Sequence, residues 1–211
     1  MADRYKENFE TCNKVASLYQ SKFMNLDLYN DSYDLICNSR TRSNSKILEV
    51  GCGPGNITKY LLEKRQDFDV LGIDISPNMI EFAKVNNPTA NFEIMDIRQI
   101  DQLESKFDAI VCGFCLPYLS ETDCLKLIGD SSNLLNIDGI IYISFVEGDP
   151  SKSGFQTSSS GYRTYFYYHN LQYLKLLLFE NNFKEIQTQK VEYKRSENEI
   201  EIHTIVTAKK C

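Results

Sequence analysis

Three features are scarce in this chain of 211 residues, and each scarcity closes off a class of function. Neither a basic run nor an Arg/Lys stripe occurs, and the formal net charge is −6. Proteins that neutralise many phosphates need such a surface, so nucleic acid is not expected as a substrate. Lys59, Lys64 and Arg65 share one helical stretch and read as its solvated face. Apolar runs are short as well. None approaches the ~20 residues that span a bilayer, and 111–119 and 140–146 have the length of buried strands. The opening Met-Ala-Asp-Arg-Tyr-Lys-Glu-Asn is charged and lacks the apolar segment of a secretory signal, so a cytoplasmic protein without membrane attachment is expected. Metal ligands are the third scarcity. The chain has two histidines and an odd count of seven cysteines, with one isolated pair, Cys112-Gly-Phe-Cys115. One pair at the end of an apolar strand supplies too few donors for zinc, and reduced thiols with no metal are expected.

What is present is concentrated in Ile47-Leu-Glu-Val-Gly-Cys-Gly-Pro-Gly-Asn-Ile-Thr58 and Leu71-Gly-Ile-Asp-Ile-Ser76. An apolar strand runs into glycines at 51, 53 and 55, a helical pattern follows, and a second apolar strand ends on Asp74. Glycine lets the backbone turn sharply and approach a ligand, and the next helix presents unpaired N–H groups. The acid falls 23 residues after Gly51, at the carboxyl end of a neighbouring strand, where a carboxylate can accept two ribose hydroxyls. The third glycine comes one residue earlier than in the dinucleotide fingerprint G-x-G-x-x-G. A nicotinamide-dependent oxidoreductase would rest on Asp74 and the glycines alone.

With Glu49 two residues before the first glycine, the stretch resembles the first motif of class I methyltransferases that use S-adenosylmethionine, (D/E)-x-G-x-G-x-G. The resemblance implies a ligand with adenosine but no phosphate, the methionine end over the glycine turn, and S-adenosylhomocysteine as product. It implies that Asp74 holds the ribose, that Ile75 and Met79 pack on adenine, and that Asp96, followed by Ile97, accepts from the adenine amino group. Glu49, Gly51, Cys52, Gly53, Gly55 and the Cys112-Gly113 backbone would hold the methionine portion, with Tyr19 closing over its carboxylate.

The rest of the chain supports that frame. Strands are expected at 47–50, 70–74, 91–95, 107–112 and 140–145, alternating with helices at 57–66, 78–85 and 121–135 and a turn near Ile100. Ser120, with Asp123 three residues on, is a candidate cap, and Pro77 suits a first helical turn. Such alternation with continuous apolar strands predicts an α/β fold with a parallel sheet covered by helices on both faces. A helix at 169–180 precedes strands at 183–193 and 200–208, joined too briefly for a parallel crossover and hence antiparallel. The family implies a doubly wound, mostly parallel sheet of seven strands, the last inserted in reverse. Residues 7–24, with Phe9, Cys12, Ala16, Tyr19 and Phe23 at helical spacing, and a shorter stretch at 32–37 form an N-terminal helical cap. The cap is placed at 1–44 and the core at 45–211.

Residues 147–161 are polar and rich in Gly and Ser, a candidate substrate lid or an idle surface loop. With the aromatic stretch that follows, the candidate lid spans 147–168. Gly161–His169 packs five aromatics, an arginine and a histidine into nine residues, so Arg163 and Tyr165 are candidate substrate contacts beside Tyr118. A sulfonium is already an activated electrophile, so methylation needs mainly positioning. Many small-molecule members carry x-L-H-H-L after the fourth strand, where this chain reads Leu116-Pro-Tyr-Leu119. The departure leaves Tyr118 and His169 as the weak catalytic candidates, while His203, mid-strand, reads as structural. The (N/D)-P-P-Y signature of enzymes that methylate nucleobase or glutamine amino groups is also missing. The expected function is methyl transfer to a small molecule by a monomer or homodimer; the alternative is a module that binds the cofactor without catalysis.

Overall fold

The computed structural model describes residues 3–39, 43–158, 161–196 and 199–211. A seven-stranded sheet forms the centre. Its strands are β1 (Lys46–Val50), β2 (Asp69–Asp74), β3 (Asn91–Ile94), β4 (Phe107–Gly113), β5 (Leu135–Val146), β8 (Phe183–Ser196) and β9 (Glu199–Lys210), in the order β3-β2-β1-β4-β5-β9-β8. The first five are parallel. β9 enters antiparallel between β5 and β8, which is the reversed insertion that the family resemblance implies. The remaining strands, β6 (Gly154–Thr157) and β7 (Arg163–Phe166), form a separate hairpin.

Strand periodicity splits the core in two. Successive side chains leave opposite faces. Leu48, Val50, Ile110, Ile141 and Phe145 therefore enter one apolar cluster, and Ile47, Ala109, Val111 and Tyr142 the other. Helices α6 (Glu121–Leu134) and α7 (Leu171–Glu180) cover the first face; α3 (Asn30–Ser39) and α4 (Asn56–Lys64) cover the second. α5 (Pro77–Asn86) packs Ile80 and Ala83 on Phe92 and Cys52. Local chemistry sets the helix starts. Ser76 accepts from the Met79 N–H at 3.3 Å, with Pro77 following, and Ser120 accepts from the Asp123 N–H at 3.2 Å.

Two elements differ from expectation. The single helix expected at 7–24 is broken at Val15 (φ −91°, ψ 6°) into α1 (Arg4–Lys14) and α2 (Ala16–Phe23). The bend lets α1 follow the β6–β7 hairpin while α2 crosses the glycine turn. Within the expected polar loop at 147–161, residues 154–157 form β6, and the hairpin it makes with β7 is fastened by α1. Asn8 donates to the Tyr165 carbonyl (3.0 Å) and accepts from the Tyr165 N–H (2.6 Å), satisfying a strand edge that would otherwise be unpaired. Residues 159–160 of the candidate lid, 40–42 of the link between cap and core, and 197–198 between the last strands lie outside the described residues. Among the described residues, no helix is long and apolar enough to cross a membrane.

Candidate functional site: two joined cavities over the glycine turn

The strand order reverses between β1 and β4, the point where open α/β sheets bind ligands beyond the strand carboxyl ends. A crevice of about 190 Å³ lies there, roofed by α1 and α2. Gly51, Gly53, Asp74, Ile75, Met79, Asp96, Ile97, Tyr118 and Tyr19 all line it, so most of the sequence candidates converge. A second cavity of about 280 Å³ adjoins it, and both share Tyr19, Gly51, Gly113, Phe114 and Tyr118. Tyr118 therefore stands between them.

The three glycines serve different ends. A Cβ on Gly51 (φ +66°) would lie 2.5 Å from Cys115 Sγ, and one on Gly55 (φ +80°) 2.4 Å from Asn87 Nδ2. Those two are small because the protein packs against them. Gly53 (φ +53°) has nothing closer than the Tyr19 ring, at 3.6 Å from its hypothetical Cβ, so it opens on the crevice. Asp74 is fixed by its own turn, where Oδ2 accepts from the Gly53 N–H at 2.9 Å and Oδ1 from the Ser76 N–H at 2.8 Å. A carboxylate offers about four acceptor positions, so about two remain for a ligand. Burial raises the Asp74 pKa, and the two N–H bonds oppose that shift.

The cap is latched over this crevice by amides. Asn13 of α1 accepts from the Ser76 hydroxyl (2.9 Å) and the Asn78 N–H (3.1 Å). Asn86 of α5 donates to Gln20 of α2 and to the Pro54 carbonyl, both at 2.8 Å. The cap also brings Tyr5, Phe9 and Cys12 to the crevice wall, and burial pushes the Cys12 thiol up to about 12.

Several candidates sit elsewhere. Cys112 is buried in the core beneath the site and reaches neither cavity. Cys52 and Glu49 line the second cavity rather than the crevice, and Gly55 caps α4. Glu49 is 1% exposed and accepts from the Thr58 hydroxyl; burial raises its pKa to about 8, so it carries a proton at neutral pH. Asp96 lines the crevice, but the Arg98 guanidinium grips both its oxygens at 2.5–3.0 Å. Burial works to raise the Asp96 pKa, and its bonds from Arg98 outweigh it and hold the group below the usual carboxylate range. Arg163 pairs with Glu7 of α1, and Tyr165 packs between Arg4, Phe155 and Tyr167. Both fasten the hairpin to the cap, and neither lines a cavity of the site; Thr164 and Phe166 do. His169 is buried with Nε2 2.8 Å from the Leu116 carbonyl, and burial lowers its pKa, so it serves the core instead of the site.

His203, expected to be structural, lines the second cavity. Its Nδ1 lies 2.7 Å from the Tyr29 hydroxyl, and Tyr193 stacks on the ring with centroids 4.7 Å apart. Phe114 completes that wall from a left-handed backbone conformation, φ +55°, which an aromatic residue rarely adopts. Its N–H is anchored on Ser144, 3.1 Å from the carbonyl and 3.0 Å from the hydroxyl. Strain of this kind concentrates where a side chain must be aimed.

Sheet order, crevice and glycine turn together define a class I methyltransferase architecture. Residues 47–139 match the family model described as a methyltransferase domain. The malonyl-[acyl-carrier protein] O-methyltransferase of Acetivibrio thermocellus is 36% identical over 143 residues, 67% of this chain and 46% of that protein. The trans-aconitate 2-methyltransferase of an Enterobacter species is 33% identical over 99 residues, 47% of this chain and 38% of that protein. The chain thus spans less than half the length of either relative. Among solved structures, the magnesium protoporphyrin IX methyltransferase of Synechocystis with bound S-adenosylmethionine superposes with a TM-score of 0.73 at 16% identity, covering 100% of this chain and 99% of that one. The N-methyltransferase NodS of Bradyrhizobium japonicum, in complex with S-adenosylhomocysteine, gives 0.70 at 14% identity, covering 97% and 98%.

Proposed function

We propose that the crevice binds S-adenosylmethionine and that the chain catalyses transfer of its methyl group to a small molecule held in the second cavity. The observation that carries this reading is Asp74 beside Gly53. A half-buried carboxylate with about two acceptor positions left faces a backbone turn that no side chain fills, which suits a ribose diol next to a close-lying ligand chain. Ile75, Met79 and Ile97 supply apolar walls for adenine. Gly51, Gly53 and Tyr19 flank the methionine portion, and Tyr118 stands where the crevice opens on the second cavity. Asp96 contributes through Arg98 as a charge-neutral pair.

Bound there, the sulfonium supplies an activated methyl group. The protein's own task is to orient the acceptor and exclude water, which α1 and α2 do by roofing the crevice. Residues 1–44 act as the cap and 45–211 as the core, with 147–168 as a substrate lid whose hairpin rests on α1. Isothermal calorimetry with S-adenosylmethionine and S-adenosylhomocysteine tests the reading: binding of both is expected. Binding of neither at millimolar concentration contradicts it.

A further inference from the structure

The proposed reaction leaves one group of side chains unexplained, where β9 faces the segment before α3. His203, Tyr29 and Glu201 all line the second cavity. The Tyr29 hydroxyl lies 2.7 Å from His203 Nδ1, and Glu201 Oε2 lies 3.5 Å from Nε2. A carboxylate only accepts, so the ring proton belongs on Nε2, facing Glu201. Nδ1 is then the acceptor, and the Tyr29 hydroxyl donates to it. Hydroxyl, imidazole and carboxylate thus stand in the order that activates nucleophiles elsewhere, and all three residues line the cavity.

The surroundings hold the imidazole neutral and fixed. Tyr193 of β8 stacks on it (interplanar angle 13°), and Phe114 tilts against it at 4.8 Å. Its ladder partners, Val146 of β5 and Val191 of β8, are apolar. The ammonium of Lys190, next along β8, pairs with Glu147 at 3.1 Å. Tyr29, Tyr193 and Glu201 are titratable groups that face the ring. Burial lowers the His203 pKa, with Glu201 opposing, and burial raises the Tyr29 phenol far above its ordinary value. At neutral pH the imidazole can accept a proton and the phenol retains its own.

We propose that Tyr29, His203 and Glu201 form a proton relay that deprotonates the acceptor in the second cavity. The acceptor is then an amine or a phenol, whose reacting atom carries a proton at neutral pH, and not a carboxylate, which carries none. This inference rests on the methyl-transfer reading of the neighbouring crevice. As the acceptor nitrogen or oxygen bonds to the methyl carbon, the carbon–sulfur bond of the sulfonium breaks and its electron pair stays on sulfur as a neutral thioether. The acceptor proton passes to the Tyr29 oxygen while the Tyr29 proton passes to His203 Nδ1; where the acceptor is an ammonium this transfer precedes the attack, because its nitrogen has no lone pair until the proton leaves. The positive charge of the sulfonium is replaced by an imidazolium facing Glu201. Tyr29 is the group that meets the acceptor, and His203 acts through it.

Two variants separate this role from packing. Tyr29→Phe keeps the ring and removes the hydroxyl; His203→Gln can still accept from Tyr29 but cannot take the proton. Calorimetry with S-adenosylhomocysteine comes first. Unchanged binding shows an intact crevice in each variant, whereas no binding by the unaltered protein overturns the cofactor reading and the relay with it. Release of S-adenosylhomocysteine is then followed with phenethylamine, 4-ethylphenol and 3-phenylpropanoate, three aromatic probes presenting an ammonium, a phenolic hydroxyl and a carboxylate. Turnover is expected with the amine or the phenol and not with the carboxylate. Each variant should lower kcat by roughly 10²–10⁴-fold and flatten the acidic limb of the pH–rate profile. Nitrogen-15 NMR of the product-bound protein gives a readout independent of turnover: Nε2 protonated and Nδ1 bare at neutral pH. An Nδ1-protonated ring, a preference for the carboxylate, silence with every probe, or variants with the original rate and pH profile each overturn the relay.

Discussion

Gly51, Gly53 and Gly55 share one motif and have three different neighbours, so substitution should separate them. Each has a positive φ, where a side chain costs roughly 1–2 kcal/mol. Gly51→Ala adds a collision with Cys115 to that cost, so its urea midpoint should fall further than that of Gly53→Ala. Gly53→Ala should instead lose S-adenosylhomocysteine affinity, because its methyl group enters the crevice. Asp74→Ala should weaken the same binding by about 1–3 kcal/mol, the worth of hydrogen bonds to a charged group, as measured by calorimetry. Asp74 and Gly53 were legible because motif spacing places them at strand ends, and Tyr19 because helical spacing puts it on the cap. The roles of Asp96 and His203 were not. Arg98 claims Asp96 through a local fork that no pattern announces, and His203 gains its meaning from Tyr29, 174 positions away in sequence. Alternation along a strand says that a residue faces one side, not what waits there.

At the scale of elements, the β6–β7 hairpin and α1 behave as one body. Asn8→Ala removes both bonds to the Tyr165 backbone, so amide hydrogen exchange should quicken across 154–157 and 163–166 while the central sheet is unchanged. Uniform protection in the variant would contradict this. Arg163→Ala breaks a pair with Glu7 on the protein surface, so it should leave the acceptor KM as it is; a raised KM would return Arg163 to the substrate site. The sheet strands and the helices after them were readable from apolar runs, the Ser120 cap and Pro77 at a helix start. The pairing of β6 with β7 was not, because the Gly- and Ser-rich stretch before Arg163 carries no alternation and the edge of β7 is satisfied by a side chain on a distant helix. The bend at Val15 escaped for a related reason. The apolar stripe continues through it, and only the two surfaces beneath α1 and α2 require the turn.

The whole molecule is a switch-point sheet with a cap of helices, and a buried carboxyl, Glu49, lies beneath the switch. Burial raises the Glu49 pKa from its ordinary value near 4.5 to about 8, so the folded state holds a proton that the unfolded chain gives up. The stability this group contributes is complete below about 4.5 and is lost as pH rises through about 8. Urea unfolding should therefore show the protein weakening between pH 6 and pH 9 more than Glu49→Gln does; parallel curves would show that Glu49 is ionised in the fold. All else at this scale depends on a nucleoside thioether lodging between Asp74 and the cap. A crystal structure of the protein grown with S-adenosylhomocysteine is the most direct measurement. Its ribose is expected on Asp74, its adenine against Ile75 and Met79, and its sulfur turned toward Tyr118. Density elsewhere, or a crevice left empty at saturating ligand, would contradict it.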